Sequence, residues 1–124
     1  MSNKEEVSVW VIKNKSTGEY LYGDENFVDD FSKASKWKRS SSAVEKLYYL
    51  GKRGYEWYPE WAEKADDEDT KENYWRKAKE CTELFNNCVI ENYNQTYTLV
   101  HETKMEAKVK HKTEWDFEII ADTD

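Results

Sequence analysis

The sequence has few of the residues on which many functional sites depend. It contains two cysteines, two histidines and four glycines among 124 residues. The two cysteines and two distant histidines do not have the spacing of a zinc site. There is no glycine-rich phosphate loop, no Gly-x-Ser-x-Gly elbow and no suggestive Cys/His nucleophile pair. We therefore expect no metal, no cofactor and no enzymatic activity.

Long apolar runs are also missing. No uninterrupted apolar stretch reaches about 18 residues, so we expect no membrane span. The opening residues, MSNKEEVSVW, lack the basic and apolar regions of a secretory signal. Cys81 and Cys88 would lie about 10 Å apart along a predicted helix, which is beyond the reach of a disulfide. The sequence therefore predicts a cytoplasmic protein with reduced cysteines.

Aromatic residues, in contrast, are abundant. Six Trp, nine Tyr and four Phe are present, and each ring can bury about 150–250 Å². Disordered chains are poor in aromatics, so we expect a folded chain. The length suits one domain, and we predict a single domain over residues 1–124.

The charges are unevenly distributed. Residues 31–53 carry seven bases and one acid, whereas residues 56–72 carry eight acids and two lysines. One face could therefore be basic and another acidic, although charge runs are more often ordinary solvated surface. The formal net charge of −7 makes direct binding to nucleic-acid phosphates unfavourable.

The apolar pattern predicts strands at the N-terminus. Residues 7–12 are rich in β-branched side chains and residues 19–22 follow a turn cluster, which predicts a hairpin whose first strand is central in a sheet. Phe27, Val28 and Phe31 are expected in a loop or short helix.

Helices and further strands follow. Ser42 and Glu45 have the spacing of a capping box, and Gly51 would end that helix. Apolar residues spaced by three and four predict a long amphipathic helix over residues 69–91, with Asp69 and Glu72 at its cap.

Alternating segments near the C-terminus predict two or three antiparallel strands between residues 96 and 119, with acids of the last segment opposite lysines of the one before. This order gives an α+β fold in which an antiparallel sheet, made from the N-terminal hairpin and the C-terminal strands, packs against two or three helices.

The richest candidate for binding is an aromatic segment followed by an acidic one. Trp and Tyr dominate the energetic centres of protein interfaces, so the rings near Pro59 either serve an interface or cover the sheet as core. The candidate partner-binding residues are Trp57, Tyr58, Trp61, Asp66, Asp67, Glu68 and Asp69.

Other polar candidates have simpler explanations. His101 and His111 fall on the inward side of predicted strands, but no third metal ligand is identifiable. The pairs Asp29–Asp30 and Asp66–Asp67 lack the apolar pocket that acid–base catalysis needs. We interpret both pairs as helix caps and surface.

Residues 11–50 resemble small accessory proteins of phages and prophages from low-GC Gram-positive bacteria. The matching positions are Asn14, Lys15, Thr17, Gly18, Tyr20, Leu21, Asp29, Ala34, Trp37 and Ala43. The resemblance brings no catalytic residues. It implies a setting in the host cytoplasm, where such proteins include inhibitors of host defences such as anti-CRISPR and anti-restriction proteins.

The leading hypothesis is a non-enzymatic binding protein that inhibits a host nucleic-acid-handling or defence complex, such as a CRISPR effector nuclease. Its partner would be a host protein or a protein–nucleic acid complex, met through carboxylates that stand in for phosphates. One alternative is a pocket for a nucleotide-like small molecule, with Lys or Arg from residues 33–53 neutralising its phosphate. Another is a structural phage component that self-associates through a sheet edge.

Overall fold

The computed structural model describes residues 8–94, 96–111 and 113–123, with the backbone alone at 121–123. It confirms the α+β class, because six antiparallel strands form one sheet in the order β3-β2-β1-β4-β5-β6. The elements are β1 (Val9–Asn14), β2 (Tyr20–Tyr22), β3 (Asn26–Val28), a 3-10 helix (Phe31–Lys33), α1 (Ser40–Lys52), a π-helical turn (Arg53–Trp57), α2 (Tyr58–Lys64), α3 (Glu68–Asn87), β4 (Cys88–Tyr93), β5 (Leu99–His111) and β6 (Glu114–Thr123).

The main core lies between the helices and one face of the sheet. The sheet and the helices contribute to it the fully or almost fully buried side chains Ile12, Ile90, Met105, Leu47, Leu50 and Phe85. Successive strand residues point to opposite faces, so Tyr20 and Tyr93 lie on the other face. There the ring of Phe31 makes edge contacts with both tyrosines. The sheet is therefore covered on both faces near its centre.

The N-terminal hairpin forms as the sequence predicts. Asn14 closes its turn, because its Oδ1 accepts a hydrogen bond from the N–H of Ser16 at 2.9 Å. Gly18 has φ 81°, a backbone region that favours glycine. Strand β1 pairs with β2 on one side and β4 on the other, which confirms its central place. Val7, the predicted start of this strand, lies outside the described residues.

After β2 the chain is more regular than predicted. The expected loop or short helix around Phe27, Val28 and Phe31 is strand β3 followed by the 3-10 helix. A strand of three residues is too short to produce a readable alternation. Asp30 caps the 3-10 helix by accepting a hydrogen bond from the N–H of Ser32 at 3.0 Å, in agreement with its interpretation as a cap.

Helix α1 begins before Ser42, and the capping box predicted for Ser42 and Glu45 does not form. The prediction that Gly51 ends this helix is also wrong, since the chain continues through the π-helical turn into α2. A Cβ at Gly51 would lie 2.5 Å from Cε1 of Phe117. The glycine therefore allows the helix to approach the sheet closely, which is a role that sequence cannot distinguish from a helix stop.

Helix α3 differs from the prediction at both ends. Its cap is Asp67, not the predicted pair Asp69 and Glu72, because Asp67 Oδ1 accepts a hydrogen bond from the N–H of Thr70 at 2.7 Å. The helix ends at Asn87, and the segment that was predicted to extend it becomes β4. All but the last residue of β4 are buried. Burial on both faces removes the alternation by which strands are recognised, so tertiary packing decides here.

The C-terminal strands confirm the predicted antiparallel arrangement. Lys108 lies opposite Asp116, and its Nζ is 3.2 Å from Oε1 of Glu118, as expected for cross-strand charge pairs. Two residues that the sequence pattern places on the inward side of β5 are nevertheless exposed. Val109 is 60% exposed and His111 is exposed, because this end of the β5–β6 hairpin extends past the side chains that cover the core.

The cysteines provide a chemical test of this fold. Both Cys81, on α3, and Cys88, at the start of β4, are buried and free, and burial raises the pKa of each thiol to about 12. Because the thiolate is the reactive form, we expect neither to react with Ellman's reagent at pH 8 in the native protein. Both should react in denaturant. Rapid reaction of either thiol in the native protein would contradict the burial.

The close packing at Gly54 provides a second test. A Cβ there would lie 2.6 Å from the backbone N of Thr82 on α3. Replacing glycine by alanine within a helix normally stabilises it, but here we expect Gly54→Ala to lower the free energy of unfolding by about 1–3 kcal/mol through overpacking. Urea denaturation would measure this, with the exposed Ser41→Ala as control. A stabilised Gly54→Ala variant would mean that α3 lies further away.

Candidate functional site

The aromatic segment is divided between core and surface by the π-helical turn. This turn begins at Arg53 and has Gly54 packed against α3. Tyr55 then points toward the sheet, where its ring lies 4.4 Å from that of Trp115 between centroids. The aromatic segment therefore contributes some rings to the core and others to the surface.

Tyr58 belongs to the core. It is 8% exposed, and its hydroxyl donates a hydrogen bond to Glu25 Oε2 at 2.8 Å. Burial, followed by the hydrogen bond to Glu25, raises the pKa of this phenol above its usual range. Its ring stacks on Tyr74 and meets the edge of Trp61. Tyr58 thus offers almost no surface to a partner and instead supports Trp61.

Two predicted binding rings reach the surface. Trp61 is 44% exposed and rests on Tyr58 and Tyr74. Trp57 is half-buried, stacks on Tyr49 at 5.8 Å between ring centroids, and has the guanidinium of Arg53 5.9 Å from its ring. These contacts fix both indoles, so little side-chain entropy would be lost if a partner covered them.

The predicted acidic residues lie together at the α2–α3 junction. Asp66 and Asp67 form the connection, Glu68 and Asp69 begin α3, and all four are exposed. The backbone and hydroxyl hydrogen bonds of Thr70 lower the pKa of Asp67. Asp67 therefore caps α3, while the other three carboxylates face solvent. Their position near the helix start is also favoured by the helix dipole.

Among the described residues, acids pair with three of the seven bases of the basic segment. Lys46 Nζ lies 2.8 Å from Asp24 Oδ1, and Arg53 is within 3.6 Å of Asp24 and 3.5 Å of Glu25. Lys52 pairs with Glu56 at 2.9 Å. The contrast between a basic and an acidic segment is therefore weaker in the fold than in the sequence.

A cleft of about 610 Å³ lies between α2, α3 and the β5–β6 hairpin. Its apolar lining consists of Tyr55, Pro59, Trp75 and Trp115. Its charged lining consists of Glu56, Glu60, Glu63, Lys64 and Glu114. No motif in the sequence predicts this cleft. Its one sequence signal is Trp75, a large apolar residue beside the buried stripe of α3, and in the fold it is 43% exposed.

Glu56 connects the cleft to the rest of the fold. Its Oε2 accepts a hydrogen bond from the backbone N–H of Trp115 at 2.6 Å, and its Oε1 accepts one from Lys52 at 2.9 Å. Burial would lower the pKa of Lys52, but the hydrogen bond and charge of Glu56 outweigh burial and raise it. One carboxylate therefore ties α1 and the π-helical turn to β6.

The two histidines lie near opposite ends of β5. His101 makes an edge contact with Trp10, whereas His111 is exposed near the far end of the same strand. Among the described residues no group of three His, Cys, Asp or Glu side chains could hold a metal ion. Within that same part of the chain, every helix is too short or too polar to cross a bilayer.

Comparison with known proteins gives no relative: no protein family, no curated protein and no solved structure matches this chain. The acidic residues of α2 and α3, the exposed indoles and the cleft are the features that bear on its function.

Substitution of Glu56 and of Glu60, which lie on either side of Pro59 in the sequence, tests whether Glu56 stabilises the fold. Glu56→Ala removes an acceptor from a partly buried N–H and a lysine, so we expect a loss of about 1–3 kcal/mol in the free energy of unfolding. Glu60 also has a lysine partner, Lys64, at 3.0 Å, but both side chains are more than half exposed. Glu60→Ala should therefore cost about 0.5 kcal/mol or less. Equal losses in urea denaturation would contradict the assigned role of Glu56.

Proposed function

We propose that this protein is a non-enzymatic binding protein that covers a basic, nucleic-acid-binding surface of a protein partner. The partner that we propose is a host nucleic-acid-handling or defence complex, such as a CRISPR effector nuclease, which is the setting implied by the resemblance that the sequence predicts for residues 11–50. Binding would inhibit the partner because carboxylates would take the positions of nucleic-acid phosphates.

One observation carries this proposal: exposed carboxylates are concentrated in α2, the α2–α3 connection and the first turns of α3. The members of this acidic surface are Glu60, Glu63, Asp66, Asp67, Glu68, Asp69 and Glu72, all exposed. Only Lys64 and Lys71 lie among them in the sequence. A surface of one sign steers a partner of opposite sign and raises the association rate.

The exposed indole of Trp61 adds an anchor to this surface. It lies on α2, which leads directly into the acidic α2–α3 junction, and its 44% exposure leaves a large apolar area for a partner to cover. Aromatic anchors surrounded by polar residues are typical of energetic centres in protein interfaces. Charged groups would speed association with a partner, and the exposed indole would slow its dissociation. This combination supports a protein partner.

The alternative functions have less support. A nucleotide-like ligand needs cations near its phosphate, but within the described chain the cleft is lined by four glutamates and one lysine, and no base from residues 33–53 lines it. Self-association through the edge strand β6 would bring its acids, Glu114, Asp116 and Glu118, close to those of a second copy. Such charges on edge strands oppose pairing.

The proposal is tested by association kinetics with a partner captured from host lysate and identified by mass spectrometry. The variant Asp66→Asn, Glu68→Gln, Asp69→Asn removes three charges but leaves the cap Asp67 intact. We expect this variant to associate more slowly and with a weaker dependence on salt, because exposed charges act on encounter. Wild-type protein should also displace nucleic acid from the partner.

A matched control removes three exposed acids elsewhere, by Asp29→Asn, Glu45→Gln and Glu83→Gln. This control should retain the association rate more closely, although both variants have the same net charge. If the two variants associate equally fast, or if partner, nucleic acid and this protein form a ternary complex, the proposal is wrong.

A further inference from the structure

We infer that the cleft between α2, α3 and the β5–β6 hairpin binds the guanidinium group of an arginine side chain from a protein partner. This inference deepens the proposed function and rests on it for the source of the arginine. Its physical basis differs, because it depends on the cleft lining, which shares Glu60 and Glu63 with the acidic surface but includes none of the acids from Asp66 to Asp69.

The cleft offers aromatic surfaces to a flat cation. Tyr55 and Trp115 pack ring against ring, 4.4 Å apart between centroids, and Trp75 contributes a second indole that is 43% exposed. The faces of tryptophan and tyrosine carry negative electrostatic potential and attract cations, arginine more often than lysine. The aromatic lining therefore gives the cleft a means of holding a cation that exposed acids alone do not provide.

The carboxylates of the cleft are only partly neutralised. Glu56 is paired with Lys52, and Glu60 is paired with Lys64. The other two, Glu63 and Glu114, have no cationic partner among the described residues. The cleft therefore repels anions and leaves two carboxylates available for a bound cation.

Guanidinium fits this lining better than a compact ammonium. It is planar and weakly hydrated, it stacks on aromatic rings, and its N–H groups can reach more than one carboxylate. The volume of about 610 Å³ lies within the range of clefts that hold a small ligand. An arginine side chain and part of its flanking backbone can therefore enter.

The test uses an acetylated and amidated Gly-Arg-Gly peptide as probe. Its binding is followed through the indole N–H signals of the tryptophans in NMR spectra. We expect the signals of Trp75 and Trp115 to shift in a saturable manner, while that of Trp61 remains unchanged. The same peptide with citrulline, a neutral analogue of arginine, should bind at least about tenfold more weakly, because it lacks the charge.

Matched variants separate the cleft from the rest of the surface. Trp75→Ala should weaken peptide binding by about 2- to 30-fold, the range of a cation–π contact, whereas Trp61→Ala, an equally exposed indole outside the cleft, should not. Glu63→Gln with Glu114→Gln should weaken binding more than Asp69→Asn with Glu72→Gln. Lys64→Met should strengthen it, because Glu60 loses its internal partner. Thermal melting would confirm that each variant is folded.

Three results would overturn the inference. The first is equal affinity for the arginine and citrulline peptides, and the second is a shift of the indole signal at Trp61 alone. The third is tighter binding of choline than of the arginine peptide, which would assign the cleft to a free quaternary ammonium. None of them decides the proposed function, because the acidic variant used there changes no cleft residue. Conversely, the peptide titration needs no captured partner, so the two proposals fail separately.

Discussion

The close approach of the backbone at Gly51 and Gly54 is the constraint on which the helical layer depends. At Gly51 the helix meets the ring of Phe117 in the sheet, and at Gly54 it meets the backbone of α3 at Thr82. Neither contact leaves room for a side chain. Since Tyr55 and Glu56 follow directly, the same constraint directs them toward β6 and creates one side of the cleft. A larger residue at either glycine would move the helix, and with it the lining of the cleft.

The sequence predicts those parts of the fold whose signal is local and periodic. Strand β1, the buried stripe of α3 and the pairing of Lys108 with acids of β6 all follow from spacing alone. The errors occur where one pattern has two physical meanings. Gly51 reads as a helix stop but serves a close contact, and Cys88 continues the helical spacing of α3 but begins a buried strand. Long-range packing decides both cases, and no local pattern records it.

The candidate site could be predicted only in part, for a geometric reason. The acids from Asp66 to Asp69 are adjacent in sequence and need no fold to bring them together. Trp75, Trp115 and Glu63, in contrast, come from three separate elements. Tyr58 and Trp61 are three residues apart in α2, a spacing that makes them neighbours on the helix surface. Helical spacing alone therefore could not show that Tyr58 is buried while Trp61 is exposed.

The position of β1 beside β4 has a consequence for how the chain folds. The three strands before the helices form one meander and the three after them form another, and each consists of neighbours in sequence. The seam that joins the two meanders pairs residues such as Ile12 and Ile90, between which α1, α2 and α3 lie in the sequence. Closing so long a loop is entropically costly and slow. Formation of α1, α2 and α3 would shorten the distance between the two strands of the seam and so lower the entropic cost of pairing the two halves of the sheet.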